Sequence, residues 1–198
     1  MKILVSCDDG NKLDFKLADL LKKYDIAGLF FIPNECEHRS LTDVDILELS
    51  YNFEIGGHTK THPEDIKHLN LVSQIEEIVY NKAYLETIIQ TTLKWFCYPS
   101  GRYNENTITA LKIAGFEKAR TTYLGQKDDN PLRTHPDVHI YPHRAEYKGE
   151  NWCNYAMALF EKKKEDNADT FHIFCHSWEI EKFNLWEETE ELFKYITK

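Results

Sequence analysis

The sequence predicts an α/β fold built on about seven parallel strands. Short apolar runs that read as strands alternate with longer segments of helical period, and this alternation repeats from one end of the chain to the other. Polar or turn residues directly follow several of the strand runs. Strands separated by helices form right-handed βαβ units and therefore a parallel sheet, either open and doubly wound or closed into a barrel. The pattern alone does not choose between the two. Both place a site at the carboxyl ends of the strands.

The first strand run, residues 2–7, ends in Asp8-Asp9-Gly10. A helical stretch follows, with Leu13, Leu17, Leu20, Leu21 and Tyr24 on one face. Residues 27–33 read as a second strand, 43–51 as a helix, and 53–57 as a third strand leading straight into His58. Asn70 can cap a long helix whose inner side carries Leu71, Val72, Ile75, Ile78, Val79, Ile88 and Ile89, before a strand at 93–98. Asn104 can cap a helix that stops at Gly115. Residues 116–122, 138–141 and 170–175 complete the strands, with helical stretches near 151–164 and 185–196. No repeat or Gly/Ser linker interrupts this order, so residues 1–198 read as one domain. A polar loop at 126–130 and a charge-rich segment at 161–169 read as solvated surface.

Composition excludes some functions. The 33 acidic against 24 basic side chains give a formal charge of -9, which repels phosphate backbones, so nucleic acid is not expected as a partner. The opening apolar run is too short for a signal-peptide core or a membrane span, and the chain reads as cytoplasmic. The five cysteines show no Cys-x-x-Cys spacing, and their odd number argues for reduced thiols.

Two clusters can carry chemistry. Asp8-Asp9-Gly10 sets two carboxylates at a strand end, where glycine permits a sharp turn; taken alone, it is also an ordinary turn signature. His58-Thr59-Lys60-Thr61-His62-Pro63 offers two imidazoles four residues apart, suited to zinc and similar metals. Pro63 biases His62 away from helical geometry, so the pair belongs to a loop or a first turn. Taken alone, such a pair is as readily two surface histidines.

With these two clusters in order, the chain resembles the polysaccharide deacetylases, the NodB-homology carbohydrate esterases. That family's first motif is T-F-D-D-G and its second H-[ST]-x-x-H; here they read Ser6-Cys7-Asp8-Asp9-Gly10 and His58-Thr59-Lys60-Thr61-His62. Phe96-Cys97-Tyr98-Pro99-Ser100-Gly101 is similar to its F-R-P-P-Y-G motif, and Phe174-Cys175-His176 to its late L-x-H motif. The resemblance spans most of the chain and implies a distorted (β/α) barrel of about seven strands.

It also implies a metal-dependent hydrolase that removes acetyl groups from N-acetylated sugars. Asp9, His58 and His62 match the ligands of one divalent metal, zinc in the first instance, with cobalt, nickel or manganese also compatible. Three protein ligands leave room for a water whose pKa such an ion lowers. Asp8 matches the general base, His176 the general acid, and a backbone N–H at or near Ser100, beside Pro99, the oxyanion donor. Trp178 and Trp152 are candidates for an apolar wall.

Two motifs depart from the family pattern. The third motif's arginine, which lies against the catalytic aspartate, is Cys97 here; Arg120 and Arg144, in or just after a strand run, are candidates to replace it. Its aromatic is Ser100. The fourth motif, D-x-x-D-W, has no match near residues 120–129, so Glu179 or Asp137 becomes the candidate partner of His176. His135, His139 and His143 recur at an even spacing that puts them on one face of a strand with Asp137 and Tyr141, read as a half-exposed face rather than a second metal site. An amidase acting on a non-sugar amide and a non-catalytic acetyl-sugar-binding barrel are the alternatives.

Overall fold

The computed structural model describes residues 1–126 and 128–198. Its strands are β1 (Lys2–Asp8), β2 (Ala27–Ile32), β3 (Glu54–Gly57), β4 (Trp95–Cys97), β5 (Lys118–Arg120), β6 (Val138–His139) and β7 (Thr170–Cys175). The helices are α1 (Asp14–Lys23), α2 (Asp43–Ser50), α3 (Leu71–Ile89), α4 (Glu105–Ala114), α5 (Trp152–Glu165), α6 (Ser177–Lys182) and α7 (Trp186–Ile196). All seven strands pair in parallel, in the order β5-β4-β3-β2-β1-β7-β6. The sheet curls into a half-barrel, which matches the distorted (β/α) barrel that the resemblance implies.

One irregular segment spans the gap between the sheet's edges. Thr134 donates to the Ala119 carbonyl at 2.8 Å and accepts from the Thr121 N–H at 2.9 Å, while the N–H groups of Asp137 and Ile140 reach His172 and Phe174 of β7. Residues 134–140 thus close the barrel with few ladder bonds, which is why β5 and β6 are shorter than the predicted runs at 116–122 and 138–141.

Alternation along the strands sorts the core into two clusters. Val5, Cys7, Phe30, Ile32 and Phe96 pack outward under the helices, whereas Leu29, Phe31 and Cys97, with Leu4 and Trp95, form a small separate cluster on the opposite, inner face. Ser6, Asp8 and Arg120 are fully buried polar residues above it. The helices begin where the sequence allows: the Asn70 and Asn104 side chains accept from the Ser73 and Thr107 N–H groups at 3.0 Å, and Gly115, at φ +75°, ends α4.

Two sequence expectations are corrected. Val72 and Val79 face solvent; the buried stripe of α3 runs through Gln74, Ile78, Asn81, Lys82 and Leu85, because its three polar members find partners inside. The strand face carrying Asp137 and His139 is buried rather than half-exposed, since β7 pairs alongside and Lys163 of α5 closes on Asp137 at 2.6 Å. Helix α6, only six residues long, was not anticipated.

Asp14 ties three elements together. Its Oδ1 accepts from the Ser177 hydroxyl at 2.5 Å and the Cys7 thiol at 3.3 Å, joining α1, the end of β1 and the start of α6. Burial pushes the Asp14 carboxyl up to about 7, against the hydrogen bonds of Ser177 and Cys7. A carboxyl whose pKa rises on folding stabilises the fold fully below its unfolded value of about 3.9 and loses that contribution as pH climbs through its folded value. Denaturant titrations should show Asp14→Asn gaining stability relative to wild type, on the order of 2–4 kcal/mol, between about pH 4 and pH 8. Parallel pH curves would contradict a neutral Asp14 in the fold.

Candidate active site

The strand ends deliver the motif residues to one rim. Asp8 ends β1 and Asp9 follows it, His58 follows β3, Pro99 and Ser100 follow β4, Arg120 ends β5 and His176 follows β7. The turn after β1 is sharp: Asp9 sits at φ +79° and Gly10 at +66°, so one carboxylate points into the barrel and the next across its mouth. β3 reaches the rim only because Gly57 lacks a side chain. A Cβ there would lie 2.8 Å from Asn81 Oδ1 and 3.0 Å from the Phe116 ring.

Asn81 was invisible as a site residue in the sequence. It is fully buried, its Oδ1 accepts from the His58 N–H at 2.8 Å, and its Nδ2 donates to the Ile32 carbonyl at 2.9 Å. The rest of the 58–62 loop is fastened to α3: Glu77 accepts from the Thr61 N–H and hydroxyl, both at 2.8 Å, and its carbonyl accepts from the Lys60 N–H at 2.9 Å.

Asp9, His58 and His62 converge. Asp9 Oδ1 lies 3.6 Å from His58 Nε2 and 3.5 Å from His62 Nε2. That oxygen is buried with no hydrogen-bond partner, so a polar atom is held in a dry position between two imidazole nitrogens. His58 Nδ1 meets the Cys97 carbonyl at 2.8 Å, which places the ring proton there and leaves Nε2 as a free donor atom. Burial opposes charge on His58, but Cys97, Asp9 and Asp8 outweigh it and raise its pKa, while burial and then the His58 charge push His62 down to about 4, so that ring is neutral. Asp9 Oδ2 is fixed by the Trp178 indole N–H at 2.9 Å. One carboxylate and two imidazoles, His58 giving up its proton on binding, form a donor set that fits a divalent ion.

Asp8 points inward and meets Arg120, whose Nη2 donates to Asp8 Oδ2 and to Cys97 Sγ, the latter at 2.8 Å. Arg120 is fully buried, with its guanidinium 5.3 Å from the Phe31 ring and 4.5 Å from Phe174. Its position follows from register, because Arg120 and Cys97 are paired neighbours on β5 and β4. The arginine that the third motif lacks is therefore supplied one strand over. Burial opposes ionisation of Asp8, but Arg120, with His58 and His176, outweighs it and holds the carboxyl below its usual range. Asp8 Oδ1 is buried and has no partner.

His176 caps α6 with its Nε2 3.8 Å from Asp8 Oδ2 and 4.0 Å from Asp9 Oδ2. Its Nδ1 meets Glu179 Oε2 at 2.6 Å, and the same oxygen lies 3.0 Å from His139 Nε2. Burial opposes charge on His176, but Glu179, then Asp9 and Asp8, outweigh it and raise the pKa to about 9.

The other candidates are engaged by different partners. Arg144 donates to the Thr122 carbonyl at 3.0 Å and pairs with Glu146, and Asp137 pairs with Lys163 and accepts from the His172 N–H at 2.8 Å. Trp178 is stacked against His38 at 3.8 Å, and Trp152 is buried in the core with its indole N–H on Glu188, so neither stands as a free wall.

A family model described as polysaccharide deacetylase matches residues 2–119. The chain belongs to the polysaccharide deacetylase family. The Bacillus subtilis protein YxkH, named for this family, is 30% identical over 127 residues, which are 62% of this chain and 45% of YxkH. The chain thus spans under half the length of that relative. The fold is shared with a family 4 acetyl xylan esterase of Clostridium thermocellum solved with a cobalt ion (17% identity, 99% of this chain and 82% of that one, TM-score 0.65). It is also shared with a family 4 pseudoenzyme of Bacillus anthracis (15% identity, 98% and 60%, TM-score 0.62). No helix among the described residues is long and apolar enough to cross a membrane.

Removing one member of a buried ion pair strands the other, typically at a cost of about 3–5 kcal/mol. Arg120→Leu should therefore lose stability on that scale in denaturant titrations of the metal-free protein. The double variant Asp8→Asn/Arg120→Leu should recover a large part of it. Additive losses would show that the pair is not coupled.

Proposed function

We propose that this chain is a metal-dependent hydrolase that removes acetyl groups from N-acetylated sugars. One observation carries the reading: a buried, unpartnered Asp9 Oδ1 between two imidazole Nε2 atoms lies beside an ionised carboxylate and a protonatable histidine. Asp9, His58 and His62 hold the ion, with zinc as the first candidate. Bound there, a divalent ion supplies Lewis acidity toward the acyl oxygen and lowers the pKa of a water.

The protein's own groups do the rest. Asp8 is the base: Arg120 and Cys97 occupy Oδ2, so the bare Oδ1 accepts the proton of the attacking water. The N–H of Ser100, in a tight turn at φ +54°, has no hydrogen-bond partner among the described residues and serves the developing oxyanion. His176 is the acid, charged at neutral pH and oriented through Nδ1 by Glu179, so its Nε2 faces the reaction side with a proton to give to the departing nitrogen. Trp178 orients Asp9 rather than walling the sugar.

Ser100 is exposed where the third motif carries an aromatic, which leaves one side of the acyl site open and supports a second reading, an amidase for a non-sugar amide. A substrate panel that includes both classes separates them.

Metal analysis should find about one divalent ion per chain in wild type and essentially none in His58→Ala/His62→Ala. Asp8→Asn and His176→Ala should keep the ion and lose about 100-fold or more of acetate release from N-acetylglucosamine oligomers. A stoichiometric ion in the double variant would refute the ligand set. A loaded wild type that releases no acetate from sugars or small amides would favour the acetyl-sugar-binding barrel.

A further inference from the structure

We propose that His139 is a positioning residue for the acid His176, acting through the one carboxylate oxygen of Glu179 that both imidazoles share. The inference rests on the reading of His176 as the proton donor and adds a residue that neither the metal site nor the base requires.

His139 is more rigidly held than a surface strand residue. It is buried, its ring lies 3.9 Å from Phe174 and 5.2 Å from Tyr141 with near-parallel planes, and its backbone N–H and carbonyl are both engaged by the Tyr147 hydroxyl. Its Nε2 lies 3.0 Å from Glu179 Oε2, and His176 Nδ1 lies 2.6 Å from that same atom. His139 Nδ1 is buried without a partner. A proton on Nδ1 would be a buried, unsatisfied donor, so the ring is neutral with its hydrogen on Nε2, pointing at the carboxylate. Burial brings its pKa down to about 4, in the same direction.

Glu179 is a long side chain on a helix of six residues. With one donor it can turn about its terminal bonds, and the acid would turn with it. Two donors arriving from different elements, His139 from β6 and His176 from the turn after β7, fix the shared oxygen in one place. His139 thereby sets the direction in which His176 Nε2 presents its proton, without touching substrate itself.

The consequence depends on the leaving group. An amine must be protonated as it departs, whereas nitrophenolate leaves without help. In the metal-loaded protein, His139→Phe keeps the stacked ring but removes the N–H. It should lower kcat for an N-acetylglucosamine oligomer about 10-fold with KM little changed, and leave turnover of 4-nitrophenyl acetate unaffected. His139→Gln, which retains an amide donor, should recover much of the loss. In the metal-free protein, nitrogen NMR should show His139 neutral with its proton on Nε2. Equal slowing of both substrates, no slowing of either, or a His139 protonated on Nδ1 would overturn the proposal. Equal loss on both substrates in His176→Ala would instead overturn the acid reading, and this inference with it.

Discussion

A carboxylate sealed inside a sheet stays ionised only if a cation is sealed in with it, and the top of this barrel is arranged around that requirement. Asp8 is 1% exposed and Arg120 0%, and the guanidinium reaches Asp8 from β5 by passing between Phe31 and Phe174. The parallel register of β4 and β5 sets Cys97 next to Arg120, so the small thiol leaves the volume that the guanidinium occupies. Two arginines side by side would repel in that space, so the residue at 97 and the residue at 120 form one solution. Pairing also leaves Asp8 with one occupied oxygen and one bare one.

The same rim stores strain. Asp9, Thr59, His62 and Ser100 all have positive φ, a conformation that costs of order 1–3 kcal/mol for each residue other than glycine. The β-branched Thr59 is the most telling, because its hydroxyl donates to the His58 carbonyl at 2.5 Å and accepts from the His62 N–H at 3.1 Å. Loops in such conformations persist only where their surroundings over-determine them. Here Asn81 and Glu77 of α3 do so from below, which places a long, well-packed helix in the service of two imidazoles.

Much of this was legible in the sequence because strand ends and turn residues fall together. Asp8, Asp9, His58, Pro99 and His176 fall at strand ends, and so at one rim, from alternation alone. Arg120 could be named as a candidate but not chosen over Arg144, since the choice depends on which strand is registered beside Cys97. Glu179 carried a usable signal: it lies three residues after His176, the spacing that brings side chains together on a helix. The helix itself was missed because six residues give no periodicity to read. Asn81 looked like an ordinary polar position on α3, and His139 like part of a wet strand face. In both cases burial came from a neighbouring element distant in sequence, which no local pattern encodes.

Helix α6 gathers more of the site than its length suggests. Within four residues, His176 approaches both aspartates, Ser177 donates to buried Asp14, Trp178 donates to Asp9, and Glu179 joins His176 to His139. Asp9 and His176 are therefore oriented by consecutive side chains of a single turn, Trp178 and Glu179, and Asp14 anchors that turn to the same strand end that carries Asp8 and Asp9. A shift of α6 would move His176 relative to Asp9 and relax the Asp9 carboxylate at once. Within this turn Glu179 both orients His176 and raises its pKa. The barrel's last strand and first strand are adjacent in the sheet, with Cys7 paired to Cys175, and that adjacency lets a turn following residue 175 support residues 8 and 9.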